Sequence, residues 1–307
     1  MKFTEGKKIF TANNINDWWK SHTMAPSAIL LDNTTIRVYL GCWDENGISR
    51  IGYVDVDSND PLRVKKISEN PVINIGEPGT FDENGVFPAH AYKLDEKIYL
   101  YYTGFQLGHK IRHYNFGGLA IGNINNDEFA RVSKAPILDR KNEGLLVRAG
   151  QSVLLENNVY KTVYSAGSEW ISAGGKMRPT YNIFYQESED GITYKDKGKK
   201  IIEYDKNLEH GLGRPQIVKL GSKYFVFYTR RTLDMKYFFG CAESNDCISW
   251  RRIDDKITGI AHSDNYWDSE MIYFPSVVSY GDKIYMFYSG NDFGETGFGF
   301  AELIEMD

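Results

Sequence analysis

The stretch PSVVSYGDKIYMFYSG, Pro275–Gly290, sets an apolar run against a Tyr-Gly-Asp-Lys turn and a second apolar run that ends in a tyrosine and a small residue. An apolar run, a short polar turn and a second apolar run are what an antiparallel strand pair needs. The same phrase returns through the chain. TIRVYLG ends at Gly41, KIYLYYTG at Gly104, VYKTVYSAG at Gly167, KYFVFYTR at Arg230 and KIYMFYSG at Gly290. The interval is about sixty residues, long enough for each repeat to be one unit of a propeller or solenoid. Thirteen or fourteen residues before each terminal tyrosine stands Pro26, Pro88, Gln151, Pro215 or Pro275, which marks the opening of a first strand.

A third apolar segment follows each pair, as in RIGYVDVD, GGLAIGN, IFYQESED, FGCAESND and FGFAELIE. Repeats three and four continue into GITYK and CISWRR, which share an S-x-D-x-I-[ST]-[YW] pattern that reads as a turn and an outer strand. Four strands in each of five units predict an all-β, five-bladed β-propeller of four-stranded antiparallel blades, filling residues 1–307 as a single domain. The last repeat has no outer strand after it, so GKKIF near the N-terminus is expected to pair there and close the ring.

Composition agrees with a β protein. Tyr (21) and Phe (17) are abundant, and aromatic side chains suit a pleated, half-buried surface. A formal net charge of −5 with no basic stripe argues against nucleic acid as a partner. No apolar run reaches the length of a membrane span and the first residues do not read as a signal peptide, so a cytoplasmic protein without a membrane partner is expected. Cys42, Cys241 and Cys247 form neither a disulfide framework nor a CxxC metal motif, and neither a metal nor another cofactor is expected.

In a propeller the residues just before each inner strand gather at one mouth of the central channel. That rule assembles His22, Asp82 with Glu83, Arg148, Arg214, and Asp268 with Glu270 from five distant places in the chain. His109, Arg112 and His113, in LGHKIRHYNFGG, belong to a loop over the same mouth.

The set FDENGVFP, GRPQIV, the S-x-D-x-I-[ST]-[YW] turn and WDSEMIYFPSVV with GDKIYMFYSGNDFGETGFGFAE resembles the five-bladed propeller glycosidase superfamily of arabinanases, levansucrases, invertases and mannoside phosphorylases. Within it, the chain is similar to a branch associated with bacterial surface-polysaccharide biosynthesis. The resemblance implies an axial site where carboxylates from different blades act as general acid and as base or nucleophile on a glycosidic bond. Carried over, Asp82, Asp268 and Glu270 are the expected catalytic acids, with His22, Arg148, Arg214 and Trp267 expected to bind substrate. Two positions depart from the pattern: the first entrance reads SHTMAP with no acid, and the third carries Arg148 where a proton-donating Glu is expected.

Arginine at two entrances points to an anionic group, because guanidinium offers a planar fork of donors to phosphate or carboxylate. The expected partner is therefore a saccharide, with inorganic phosphate, a sugar phosphate, a sugar nucleotide or a sugar acid as candidate anions. Three function classes follow: a glycoside hydrolase or phosphorylase, a non-catalytic sugar-binding propeller, and an enzyme of another reaction class on a sugar or sugar nucleotide.

Overall fold

A computed structural model describes residues 1–195, 197–260 and 266–306. The chain opens with two short strands, β1 (Lys2–Phe3) and β2 (Lys7–Phe10). A first unit follows: β3 (Ser21–Asp32), β4 (Thr35–Trp43), β5 (Ser49–Asp57) and β6 (Val64–Ile67). The second holds β7 (Val86–Leu94), β8 (Lys97–Leu107), β9 (His113–Asn123) and β10 (Phe129–Arg131). The third has β11 (Val147–Glu156) and β12 (Val159–Gly167), then an inserted hairpin of β13 (Trp170–Ala173) and β14 (Lys176–Pro179), then β15 (Asn182–Ser188) and β16 (Lys199–Ile202). The fourth is β17 (Glu209–Leu220), β18 (Lys223–Thr232), β19 (Tyr237–Ser244) and β20 (Arg251–Arg252). The fifth is β21 (Tyr273–Tyr280), β22 (Lys283–Ser289) and β23 (Phe298–Glu305).

Within each unit consecutive strands pair antiparallel, and no sheet closes on itself. The fifth unit is completed from the other end of the chain: β2 pairs with the first half of β23 and β1 with its second half. Units two and three are joined by a short parallel pairing of β9 with β11. No helix among the described residues is long and apolar enough to cross a membrane.

Apolar side chains lie in layers between units, as alternation on a two-faced sheet requires. Tyr39 and Ile51 of unit one pack with Val86 and Leu100 of unit two, and Ala89 and Tyr101 of unit two with Val153 of unit three. Val163 and Ile183 meet Ile217 and Val226 between units three and four, and Phe225 and Phe239 meet Met286 and Tyr288 between four and five. Phe287 and Phe300 of the fifth unit pack on Ile36 and Val54 of the first. Fully burying one such side chain is worth about 1.5–3 kcal/mol, so these layers supply most of the favourable free energy.

The first strands of the units touch in the order β3, β7, β11, β17, β21 and back to β3. Each is broken by a register shift at its proline or glutamine. The prolines therefore do not open these strands: Pro26 and Pro215 lie well inside β3 and β17, at bulges, where a missing N–H costs no ladder bond. Just past each bulge a buried side chain accepts a backbone N–H from a neighbouring unit. Ala91 N–H donates to Ser27 Oγ (2.7 Å), Val153 to His90 Nδ1 (3.3 Å), Ile217 to Ser152 Oγ (3.2 Å), Val277 to Gln216 Oε1 (2.5 Å) and Ala28 to Ser276 Oγ (2.9 Å). The fifth bond returns to the unit where the first began.

Ser276→Ala removes one acceptor and leaves the Ala28 N–H buried without a partner, so it is expected to cost about 1–3 kcal/mol in urea unfolding, whereas exposed Ser279→Ala changes stability little. His90 accepts only when its Nδ1 is unprotonated. Burial, aided by the Arg214 charge, lowers its pKa from 6.5 to about 3. Because the unfolded chain takes up that proton and the folded chain does not, stability is expected to fall as pH drops from 6.5 towards about 3. His90→Gln, compared at pH 7.5 and 5.0 (about neutral and about one and a half units below the free imidazole value), is expected to flatten that slope.

Candidate active site

The residue immediately before each proline or glutamine is Ala25, Phe87, Gly150, Arg214 or Phe274. Four of these five have left-handed backbone, with φ of 56° at Ala25, 68° at Gly150, 43° at Arg214 and 57° at Phe274. Positive φ is costly for side chains of this size and clusters where a structure aims a group into a site. Phe87, Gly150, Arg214 and Phe274 all line one cavity of about 410 Å³. Phe87 and Phe274 stack at 6.1 Å with planes 8° apart, and Arg214 lies over Phe274 at 5.7 Å. A Cβ at Gly150 would come 3.3 Å from the Arg214 Cα, so glycine keeps the two bulges in register.

Arg214 is buried. Its Nε donates to Ala89 O (3.0 Å), one terminal nitrogen to Phe274 O (3.0 Å) and the other to Pro26 O. It thus leaves unit four to bind carbonyls of units two, five and one. Burial lowers its pKa to about 9, so it still carries its charge at neutral pH.

Above this floor the cavity has two kinds of wall. Trp43, Phe105 and Phe293, with Phe87 and Phe274, form an aromatic side, and His22 stacks on the outer face of Trp43 at 3.8 Å. Arg112, Arg178 and Arg231 form a cationic side, next to His113 and Tyr181. Arg178 comes from the inserted hairpin, and Arg231 donates to the Tyr181 hydroxyl. The Nε atoms of Arg178 and Arg231 are buried without a hydrogen-bond partner among the described residues. Burial, reinforced by Arg112 and Arg231, lowers the His113 pKa to about 4, and burial lowers that of His22 to about 4. Both rings are neutral near pH 7.

No Asp or Glu lines this cavity among the described residues. Nor is any of its four arginines in an ion pair there, whereas Arg37, Arg50, Arg131, Arg148, Arg230, Arg251 and Arg252 all are. Seven of the chain's thirteen arginines are thus paired with carboxylates, and the four that line the cavity are not. Among the described residues no group of three or more His, Cys, Asp or Glu is placed to share a metal ion.

Of the strand-entrance residues expected from sequence, the structure brings Arg214 into the cavity lining, and His22 stacks on lining Trp43. Asp82 and Asp268 lie elsewhere, each bound to the tyrosine that defines its repeat. Tyr102 OH donates to Asp82 Oδ2 (3.1 Å) and Tyr288 OH to Asp268 Oδ2 (2.7 Å). The preceding aromatic stacks on the same tyrosine: Phe81 on Tyr102 at 5.9 Å and Trp267 on Tyr288 at 5.0 Å. Arg131 adds an ion pair to Asp82 at 2.8 Å. Unit four repeats the device with Tyr228 and Asp254 at 2.7 Å.

Arg148 belongs to the unit-three version, paired with Glu143 at 3.2 Å, bonded to Asp139 O and Gln186, and lying over the Tyr164 ring. A buried tyrosine hydroxyl needs an acceptor, and these acids supply it. Asp82, Asp268, Arg148 and Trp267 each latch a repeat tyrosine, and none of the four lines the cavity. Glu270 is exposed and outside the lining, its backbone N–H held by Asn291 Oδ1 (2.8 Å).

Sequence reasoning missed Arg178 and Arg231. Arg231 was available from the doublet Arg230–Arg231, since neighbours on a strand face opposite sides: Arg230 goes to Glu209 and Arg231 to the cavity. Arg178 sits in an insertion that has no counterpart in the other repeats. Arg112 and His113 do line the cavity, from the loop singled out for that place.

Residues 172–298 match the family described as beta-1,4-mannooligosaccharide phosphorylase. A Mycobacterium tuberculosis (strain ATCC 25618 / H37Rv) protein described as uncharacterized is 28% identical over 296 residues, covering 96% of this chain and 97% of that protein. Among solved structures, a glycoside hydrolase superposes with a TM-score of 0.71 at 18% identity, covering 99% of this chain and 92% of the other. A structure from work on GH130 mannoside phosphorylases and on glycoside hydrolases that target β-1,2 mannosidic linkages in Candida mannan gives 0.72 at 15%, covering 98% and 94%. The Listeria innocua β-1,2-mannobiose phosphorylase, bound to β-1,2-mannobiose, gives 0.66 at 12%, covering 92% and 89%. At these identities the likeness establishes a shared all-β fold.

The latch assignment makes a prediction. Asp82→Asn and Asp268→Asn are expected to lower unfolding free energy by about 1–3 kcal/mol each while leaving ligand affinity at the cavity within a factor of about two, read by urea titration and calorimetry. Loss of turnover or binding without loss of stability would return both acids to the site.

Proposed function

We propose that the protein is a five-bladed β-propeller enzyme that cleaves a glycosidic bond of a mannoside, with inorganic phosphate as the attacking group. The five four-stranded units, the cyclic contacts of their first strands and the completion of unit five by β1 and β2 support the blade reading. The match of residues 172–298 to the mannooligosaccharide phosphorylases supports the substrate class. The observation that carries the reaction is the cavity lining: four arginines outside any ion pair and no carboxylate among the described residues.

Hydrolysis of a glycoside by the usual route takes two carboxylates, one to protonate the leaving oxygen and one to activate water or attack the sugar. Phosphate brings its own nucleophilic oxygen and needs cationic donors to hold it. The aromatic side then carries the sugar face while the arginines orient phosphate towards the anomeric carbon. As the phosphate oxygen bonds to that carbon, the bond to the leaving sugar oxygen breaks, and that oxygen takes one proton from an acid. Asp292, exposed and next in sequence to lining Phe293, has a carboxylate whose charge acts on His22 and Tyr273, and it is the acid we assign to this step.

A second reading, a non-catalytic sugar-binding propeller, draws on the engagement of Asp82 and Asp268 in latches. One experiment separates the two. Incubation with β-1,2- or β-1,4-linked mannobiose is expected to give mannose 1-phosphate only when phosphate is present, and Asp292→Asn to cut the rate by about 10²–10⁴-fold. Equal release of free mannose with and without phosphate contradicts phosphorolysis, and binding without turnover under either condition favours the binder.

A further inference from the structure

Resting on that phosphorolytic reading, the charge inventory of the cavity goes one step further. Arg112, Arg178, Arg214 and Arg231 place four guanidiniums around about 410 Å³ with no carboxylate in the lining among the described residues. A phosphate ion brings about two negative charges at neutral pH. Arg214 is buried and Arg178 and Arg231 are half-buried, so a sugar that covers them without a further anion takes water from guanidiniums that have no carboxylate partner among the described residues, which is unfavourable.

The four arginines are also held differently. Arg214 spends three of its five N–H donors on the carbonyls of Ala89, Phe274 and Pro26, so it can offer two to a ligand. Arg231 is tied only to the Tyr181 hydroxyl, and Arg178 has an open buried Nε, so the wall retains most of its donors. Arg112, which is exposed, comes from a different element, the loop between β8 and β9. A single tetrahedral ion gripped by Arg178 and Arg231 leaves Arg112 and Arg214 without counter-charge.

We infer that the saccharide taken by this cavity itself carries an anionic substituent, a phosphate ester or a carboxylate, so that two anions, the attacking phosphate and the sugar's own group, are bound at once. The substrate class is an acidic or phosphorylated manno-oligosaccharide. A neutral mannoside would satisfy the aromatic side alone.

The test is calorimetry on the whole protein with two disaccharides of one linkage, neutral mannobiose and mannobiose 6-phosphate, each titrated in the presence of saturating inorganic phosphate. The proposal expects the phosphorylated sugar to bind at least tenfold more tightly, without expelling phosphate, and expects Arg112→Gln to shrink that preference. The wild-type comparison stands even if a variant misfolds. Equal affinity for both sugars, or binding of the phosphorylated sugar only by displacing phosphate, overturns the proposal and leaves phosphorolysis untouched. Absence of any phosphate binding takes down the phosphorolytic reading and, with it, the paired-anion site.

Discussion

The Arg214 guanidinium joins four units through one side chain: it leaves β17 and bonds to carbonyls of β7, β21 and β3. Around it runs the belt in which Ser27, His90, Ser152, Gln216 and Ser276 each accept a backbone N–H from an adjoining unit. Two-faced sheets packed one against the next bury apolar area between neighbours but have little to fix the angle between them. Directional bonds between first strands supply that constraint, and each is buried, where a hydrogen bond is both stronger and more costly to lose. The same bulges that turn these acceptors outward to the next unit raise Phe87, Arg214 and Phe274 into the cavity. Structure and site are thus set by one backbone feature.

This arrangement has an electrostatic consequence. A buried cation with only neutral carbonyls around it raises the local potential, and the buried His90 imidazole registers the field. Arg214 helps depress His90, and Arg112 with Arg231 helps depress His113. Elsewhere the chain avoids such exposure by pairing: Arg131 with Asp82, Arg148 with Glu143, Arg252 with Glu209 and Asp254. The contrast separates two uses of arginine within one fold. Arg131, Arg148 and Arg252, each paired with a carboxylate, lie over repeat tyrosines, and the four arginines without a carboxylate partner line the cavity.

Much of the architecture was legible in the sequence because it repeats. The tyrosine at 39, 102, 164, 228 and 288 and the proline or glutamine ahead of it fix strand pairing and the place of each bulge. The site was legible only where the register was kept. Arg214 directly precedes Pro215 and reaches the floor, whereas Arg148 lies three residues before Gln151, at the position of Leu212, and turns into the sheet. Gly150 holds the true counterpart of Arg214. The echo of FDENG and WDSEM was real, but it recorded a shared need of Tyr102 and Tyr288 for an acceptor and a stacking partner. Linear order does not say which side of a tyrosine an acid approaches, and an inserted hairpin such as β13–β14 has no repeat from which its Arg178 could be placed.

The central claim is that an anion, held by open arginines, occupies the cavity above Arg214. Diffraction from crystals soaked in tungstate, a heavy mimic of phosphate, tests it most directly through the anomalous signal. The account predicts a peak inside the cavity within hydrogen-bonding distance of Arg178 or Arg231, lost in Arg231→Ala. A cavity without a peak, in crystals where tungstate binds elsewhere or not at all, would contradict it.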